Sequence, residues 1–461
     1  MIDIVQKLQE ILGEKDVLTG DSVSSRSTSY WDAAPMRAKG IARPRTTKEV
    51  SAVLKCCHAV GQTLVTHGGL TGTVQGDKST GQDIVLSLER MTRIEEIDET
   101  GRTATLQSGC VLQSLQEAVE AKGLFFPLDL GARGSCTIGG NVATNAGGIN
   151  VIRYGMAREL VLGLEAVLAD GTIVSSMNRM LKNNAGYDLK QLFIGSEGTL
   201  GVVTRVVVKL NEFPSSANTA LVAMDSFQKV ADLLKFMDRS MGGHLSSYEV
   251  MWGDYFRKVT EPGWHKAPMS QDYDFYVVME AQGANQERDT EQFQATLEAA
   301  FEQELILDAV LPKSDSQRDS VWAIREDFDA VLQIKPQFLY DVSLPIRNMD
   351  AYVNEVQQGI RNKWPDSYFY ALGHIGDGNL HFFISPQGES FQELHRQVDE
   401  VVYRPLQAIG GSVSAEHGIG LEKRAWLDMS RTETEIALMK TLKIALDPKQ
   451  ILNPGKVIDL E

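Results

Sequence analysis

An eighteen-residue stretch, GARGSCTIGGNVATNAGG over Gly131–Gly148, leaves the fold less freedom than any other part of this sequence. It interleaves glycine with Ser135, Thr137, Asn141, Thr144 and Asn145, yet keeps Ile138 and Val142, for which a merely flexible loop has no use. Long ordered loops of this kind generally serve a function. Two further segments share its character. TLVTHGGLTGT (Thr63–Thr73) sends a β-branched strand directly into Gly68-Gly69-Leu70-Thr71-Gly72. Glycines there permit positive φ angles, so successive N–H groups can converge on a pyrophosphate. IGSEGTLGVVTRV (Ile194–Val206) runs glycine-rich backbone straight into a strand. Neither GxGxxG between a strand and a helix nor GxxxxGK[ST] occurs, so a dinucleotide bound here uses neither a Rossmann nor a P-loop cradle. Taken singly, a hairpin or an irregular surface loop also accounts for each segment.

The chain has 461 residues, long for one core, so two or three domains are expected. No run reaches the roughly 18 apolar residues of a membrane span. A formal charge of −16 opposes a phosphate backbone and argues against nucleic acid as a partner. The opening segment is amphipathic but carries Asp3, Glu10, Glu14 and Asp16, unlike a secretory signal or an acid-poor transit peptide, and reads as an ordinary helix. Cys56, Cys57, Cys110 and Cys136 have no disulfide, CxxC-metal or iron–sulfur spacing. They read as structural, in a reducing, cytoplasmic setting.

The expected class is α+β. Residues 1–34 form an N-terminal helical segment, and 35–212 a glycine-rich domain with strands at Gln62–Thr66, Ile84–Leu88, Thr103–Gln107, Leu164–Leu168 and Val202–Lys209. Residues 213–409 form a second domain, an antiparallel sheet backed by helices such as Gln286–Leu305 and Ser316–Val331. Residues 410–461, with a charged helix over Glu433–Leu446 stopped by Asp447-Pro448, are too few to fold alone and must pack on something.

GHIGDGNLHF (Gly373–Phe382) carries the strongest chemical signal. Asp377-Gly378, between strand-like flanks, predicts a tight hairpin that sets His374 opposite His381. In the tail, GSVSAEHGIG (Gly411–Gly420) offers Glu416 and His417 in a turn of small residues. A His–His–Glu set leaves a coordination position open, as catalytic metal sites do. Two chance histidines and a helix-terminal turn are the plainer alternatives.

Together the three glycine-rich segments resemble the FAD-binding domain of the vanillyl-alcohol oxidase/PCMH flavoprotein family. The resemblance implies a PCMH-type domain with the FAD pyrophosphate on Gly68, Gly69, Leu70, Thr71 and Gly72. It also implies a ring system reached by Gly131, Ser135, Gly139, Gly140, Asn141, Thr144, Asn145, Gly147 and Gly148, and by Gly198 and Val203 within Glu197–Val203. Some relatives attach the flavin through a His where this chain has Leu70 and Thr71, so non-covalent FAD is expected. From about Arg43 to Val457 the chain is similar to the metal-dependent D-2-hydroxy-acid dehydrogenase branch of that family. That implies a divalent metal, Zn or Mn, on His374, His381 and Glu416, His417 as the base, Asn379 on the substrate, Arg325 on its carboxylate, and the C-terminal segment packed near the flavin. The implied reaction oxidises a metal-bound D-2-hydroxy acid to the 2-oxo acid, with the proton going to His417 and hydride to flavin N5.

Relatives that oxidise hydroxyglutarate carry Lys before the Tyr-Asp of the YDVSLP strand. Here Leu339 precedes Tyr340-Asp341, which removes a partner for a distal carboxylate and points to D-lactate. A D-2-hydroxyglutarate dehydrogenase, the FAD subunit of a glycolate oxidase complex and an inactive flavin-binding scaffold are the alternatives. With no haem or iron–sulfur motif, electrons must pass to an external acceptor: a quinone, a cytochrome, an electron-transfer flavoprotein or oxygen, with the resemblance favouring a dehydrogenase over an oxidase. Such an acceptor allows a peripheral association with a membrane, and a homodimer is also allowed.

Overall fold

The computed structural model describes residues 3–386 and 391–460. The chain divides into two compact units, one of Met1–Gly148, Gly155–Phe213 and Glu416–Glu461, the other of Ile149–Tyr154 and Pro214–Ala415.

The first unit contains two main sheets. In one, Gly40–Ala42, Ile84–Ser87 and Leu64–His67 run parallel, with Val17–Leu18 antiparallel at the edge. Helix Thr47–Val60 covers this sheet with Val50, Val53, Leu54 and Cys57, the i, i+3, i+4, i+7 spacing of one helical face. Thr46 Oγ1 caps it by accepting from Glu49 N at 3.2 Å. The strand read at Gln62–Thr66 spans Leu64–His67, where its backbone pairs in register with Ile84–Ser87. The other sheet is antiparallel, in the order Ile94–Asp98, Thr103–Gln107, Val202–Lys209, Val161–Val167, Ile173–Ser176.

Part of the Gly131–Gly148 stretch is helical, over Ile138–Thr144, and Ile138 and Val142 lie in one core with Val203, Val206 and Val208. That packing explains the two apolar residues in a glycine-rich segment. The tail helix spans Glu433–Leu446, where Thr432 and Glu435 form a capping box.

The second unit is built on a seven-stranded antiparallel sheet: Asp308–Val310, Ser216–Met224, Phe275–Gly283, Leu245–Trp252, Tyr368–His374, Asn379–Ser385, Phe338–Ser343. Its strands alternate in the identity of their two faces. Tyr248 donates to the carbonyl of Val230 in helix Phe227–Met241, and Tyr340 to Asp399 in helix Phe391–Ile409, so these positions face the helical backing. Glu249 and Asp341, one residue on, face the opposite way.

The helix expected over Ser316–Val331 is broken into Asp315–Glu326 and Asp329–Leu332. Asp327 is extended at the break, where its carboxylate meets His265 Nε2 at 2.9 Å and Asp329 N at 3.0 Å. The helix from Gln286 ends at Glu302, ahead of Glu304 at φ +58°.

The Asp377-Gly378 hairpin differs from the expectation in its turn and its pairing. The turn is a short 3-10 segment, Ile375–Asp377, closed by Gly378 at φ +88°. The residue opposite His381 is Leu372, so His374 stands diagonally across from it on the same face.

Candidate functional site

In the first unit, the strand Leu64–His67 delivers Gly68–Gly72 against the start of the second glycine-rich segment. A Cβ on Gly68 would sit 2.6 Å from Thr137 Oγ1, and one on Gly69 would overlap the Ser135 carbonyl and lie 2.8 Å from Cys136 Cα. Close approach is therefore what these glycines provide. The left-handed backbone expected of them belongs instead to Leu70, at φ +57°. Leu70 and Thr71 are held through their carbonyls, by Tyr30 N at 2.9 Å and Trp31 Nε1 at 3.2 Å. Among the described residues, the N–H groups of Leu70, Thr71 and Gly72 donate to no protein acceptor. Amides free of protein acceptors in a glycine-rich turn are of the type that can donate to phosphate oxygens.

Several polar side chains of the second segment are occupied within the protein. Asn141 Nδ2 reaches Cys136 Sγ at 3.4 Å, Thr144 Oγ1 donates to the Gly140 carbonyl at 3.2 Å, and Asn145 Oδ1 accepts from Arg158 N at 2.9 Å. Asn145 also closes the helix in the left-handed region, at φ +54°. Val203 points into the core. Gly139 packs on Ser108, Gly148 on the Asp129 carbonyl and Gly198 on Asn453, whereas Gly131 has open space where a Cβ would lie. A Cβ on Gly147 would overlap the Glu416 carboxylate, so this end of the cradle lies directly against the tail residue singled out in the sequence. Glu416 and His417 lie in an irregular bend.

His67, next to the first glycine pair, is 3% exposed, and its Nε2 is 2.7 Å from the Asp77 carbonyl. Burial holds its pKa down to about 4, so the ring is neutral. Two residues join these segments: Glu197, which the sequence placed only at the start of the Glu197–Val203 segment, and Asn453, which it passed over. Glu197, buried at φ +50°, accepts from Ile419 N and Gly420 N, and Asn453 bonds both Thr66 N and the Glu197 carbonyl. The ILNPGKV motif was the one signal that could have drawn attention to Asn453.

In the second unit the sheet face opposite helices Phe227–Met241 and Phe391–Ile409 gathers Glu249, His374, His381, Asp341 and Asn379, and helix Asp315–Glu326, which carries Arg325, packs on this same face. Glu249 is paired in register with His374, and Asp341 with His381. Glu249 Oε1 lies 2.8 Å from His374 Nδ1, and Glu249 Oε2 lies 2.8 Å from Arg325 Nη2. The second contact is close but out of line for a hydrogen bond, and Arg325 Nε has no hydrogen-bond partner. Arg325 is 3% and Glu249 1% exposed, so a single buried carboxylate serves both the guanidinium and the imidazole. The His374 and His381 rings meet edge to face at 5.3 Å, with ligand-capable nitrogens within 4.8 Å of each other.

Asn379 is buried with neither its side-chain oxygen nor its nitrogen bonded. Burial pushes the Asp377 carboxyl up to about 6, against the lowering effect of nearby His374. Asp341 Oδ2 accepts from Ser414 Oγ at 3.2 Å and Ala415 N at 3.1 Å, anchoring the chain one residue before Glu416.

Glu249 was not legible in the sequence as a site residue. It stands 125 positions from His374, and only strand pairing brings them together. All four cysteines are free. No helix among the described residues is long and apolar enough to cross a membrane.

Residues 38–176 match the family model described as FAD binding domain, and residues 213–457 match FAD linked oxidases, C-terminal domain. The mitochondrial D-2-hydroxyglutarate dehydrogenase of Arabidopsis thaliana is 36% identical, over 98% of this chain and 81% of that protein. The D-2-hydroxyglutarate dehydrogenases of Xanthomonas citri pv. viticola and Stutzerimonas stutzeri are 37% and 34% identical, over 94% and 98% of this chain and 91% and 98% of theirs. Among solved structures, p-cresol methylhydroxylase with substrate bound superposes with a TM-score of 0.79 at 14% identity, covering 99% of this chain and 96% of that one. Alkyldihydroxyacetonephosphate synthase gives 0.76 at 16% identity, covering 98% and 87%. These two show a shared fold, with the PCMH-type FAD-binding architecture expected from the glycine-rich segments. On a domain model spanning more than half its length and relatives above 30% identity across nearly all of it, the chain belongs to the FAD-linked oxidase family, a family of FAD-dependent oxidoreductases acting on CH–OH groups.

Proposed function

We propose that this chain oxidises a D-2-hydroxy acid to its 2-oxo acid, with D-2-hydroxyglutarate the substrate favoured by the names of its relatives. The observation that carries the reading is the buried polar set on the sheet face: Arg325 with an unused Nε, beside Glu249 and His374, with Asn379 unbonded at both polar atoms. Each buried polar group left unbonded costs about 1–3 kcal/mol, a cost that a ligand supplying partners removes.

A planar guanidinium suits a carboxylate, so Arg325 holds the substrate's C1 carboxylate and Asn379 orients its polar atoms. Glu249 fixes His374 through Nδ1, which leaves Nε2 as the coordinating nitrogen. Carboxylate-to-histidine support of this kind accompanies metal ligation and suits a divalent cation held by His374 and His381 with Glu416. Zn and Mn both match this donor set. When bound, FAD accepts the electron pair and the divalent cation polarises the hydroxyl. His417, one residue beyond Glu416, takes the hydroxyl proton on its neutral imidazole. The flavin is held non-covalently: Leu70 and Thr71 stand where some relatives carry the attaching His, and the His67 ring is buried and engaged with Asp77. An external carrier takes the electrons onward.

A second reading of the substrate rests on Leu339. It pairs with Phe383 and packs with the cluster of Tyr255, Phe328 and Tyr370, two residues along the same face from Asp341. This apolar neighbourhood suits a short side chain, as in D-lactate, better than a second carboxylate. Anaerobic mixing with the D- and L-forms of 2-hydroxyglutarate and lactate, with and without chelator, tests both readings. Bleaching of the flavin by a D-isomer that chelation abolishes supports the reaction. A higher kcat/KM for D-lactate than for D-2-hydroxyglutarate selects the second reading.

A further inference from the structure

Glu197 has an unusual conformation for its residue type, and every polar group it carries is bonded. It is a non-glycine residue at φ +50° and 8% exposed. Such a backbone costs roughly 1–3 kcal/mol and persists only where the surroundings over-determine it. Here they do so from three directions. Its N–H donates to the Ala143 carbonyl at 2.8 Å, in the helix of the second glycine-rich segment. Its own carbonyl accepts from Asn453 Nδ2 at 2.7 Å, and Asn453 Oδ1 in turn accepts from Thr66 N at 2.9 Å, in the strand that feeds Gly68–Gly72. Its carboxylate spans two consecutive amides of the tail, with Oε1 accepting from Ile419 N at 2.6 Å and Oε2 from Gly420 N at 2.8 Å.

The fit is tight on both sides of that carboxylate. Gly418 lies at φ +88°, and a Cβ there would come 2.7 Å from Oε1, while a Cβ on Gly76 would lie 3.6 Å from Oε2. A buried carboxylate with two N–H donors makes charge-assisted bonds, among the stronger ones available to a loop. No regular secondary structure holds residues 415–419. The bend that carries Glu416 and His417 is anchored before them at Ser414 and Ala415 by Asp341, and after them at Ile419 and Gly420 by Glu197.

We propose that Glu197 is a positioning residue that fixes the Glu416-His417 bend against the cofactor cradle, by clamping Ile419 and Gly420 with its carboxylate. This rests on the reading of His417 as the base, but the clamp itself can be tested without turnover. The first readout is hydrogen exchange on the FAD-loaded full chain. In Glu197→Gln an amide NH2 replaces one of the two acceptors and faces an N–H. Exchange at Ile419 and Gly420 should then rise at least tenfold, while strand Val202–Lys209 stays protected. The second readout is kinetic. A misplacement near 1 Å can cost on the order of 10²-fold in rate, so anaerobic flavin reduction per bound flavin should fall about 10- to 100-fold, with KM changed much less.

Gly418→Ala crowds the same carboxylate from the other side and should reproduce both effects, giving a second route if the first variant folds poorly. Unchanged exchange at Ile419 and Gly420 in either folded variant overturns the proposal. So does a loss of FAD and of thermal stability with an unaltered rate per bound flavin, since that describes a merely structural residue. If the wild-type flavin is reduced by no D-2-hydroxy acid, the proposed function fails, and the exchange result still decides the clamp.

Discussion

Glu249 and His374 stand directly opposite each other on neighbouring strands, with Oε1 2.8 Å from Nδ1, while the other oxygen of the same carboxylate lies 2.8 Å from Arg325. One buried acid thus sets the orientation of a proposed metal ligand and tempers the charge of a proposed substrate anchor. Glu249→Gln removes the charge and keeps the shape. Its expected effect is a 10- to 100-fold weaker hold on the divalent cation, the usual consequence of losing a carboxylate behind a ligating histidine. Metal content after dialysis against graded chelator measures it. Wild-type retention of metal would assign Glu249 to Arg325 alone.

The close contact of Gly69 with Ser135 and Cys136 bears on the cofactor. Gly69→Ala places a methyl group on backbone that has no room to yield. The two loops must separate, so the purified variant should carry little FAD and bind added FAD at least tenfold more weakly, as followed by flavin fluorescence. Full FAD content would mean that the two segments do not form one cradle.

At Gly147 the added methyl meets the Glu416 side chain instead, approaching its Cδ to 3.2 Å. Gly147→Ala should keep its flavin and lose metal or turnover. FAD content and reduction rate, measured on the same preparation, separate this outcome from that of Gly69→Ala.

His67 gives a pH dependence with a definite sign. Burial lowers its pKa from 6.5 to about 4, outweighing the bond to the Asp77 carbonyl, with Lys456 and Arg26 also lowering it and Glu89 raising it. The unfolded chain takes up a proton here before the folded chain does. Stability is therefore untouched above about pH 6.5 and falls as the pH drops toward 4, by about 3 kcal/mol in all. Between pH 7.5 and 5, His67→Gln should lose less thermal stability than the wild type. Parallel losses would show that this ring is not the group responsible.

Leu339→Lys introduces a cation two positions from Asp341 on the same face. If the apolar pair with Phe383 limits the substrate's side chain, the variant should shift the ratio of kcat/KM values toward D-2-hydroxyglutarate and away from D-lactate by tenfold or more. An unchanged ratio would separate Leu339 from substrate choice.

Local pattern carried much of this molecule. Alternation around Asp377-Gly378 revealed a hairpin with two histidines on one face, and the Thr432–Glu435 capping box and Asp447-Pro448 bounded the last helix. What depended on long-range pairing was hidden. Glu249 reads as one acid within an apolar strand until Tyr368–His374 is laid beside it. Arg325 could be placed on a helix, but nothing nearby in sequence marks its partner. The glycines at 68 and 69 were read as a need for positive φ, whereas they answer to a second segment arriving from Ser135–Thr137, and the left-handed residue is Leu70. Asn453 escaped notice, and Glu197 was seen only as the start of a segment, because their bonds join segments that are hundreds of residues apart.

The most direct test of the account is a single anaerobic experiment, the reduction of the bound flavin by D- and L-2-hydroxyglutarate and D- and L-lactate in metal-replete and chelated protein. The account predicts that a D-isomer bleaches the flavin, that its mirror image does not, and that chelation slows the bleaching by orders of magnitude until Zn or Mn is restored. Equal bleaching by both isomers, or a rate indifferent to verified removal of the metal, would contradict the roles given to Arg325, His374, His381 and Glu416.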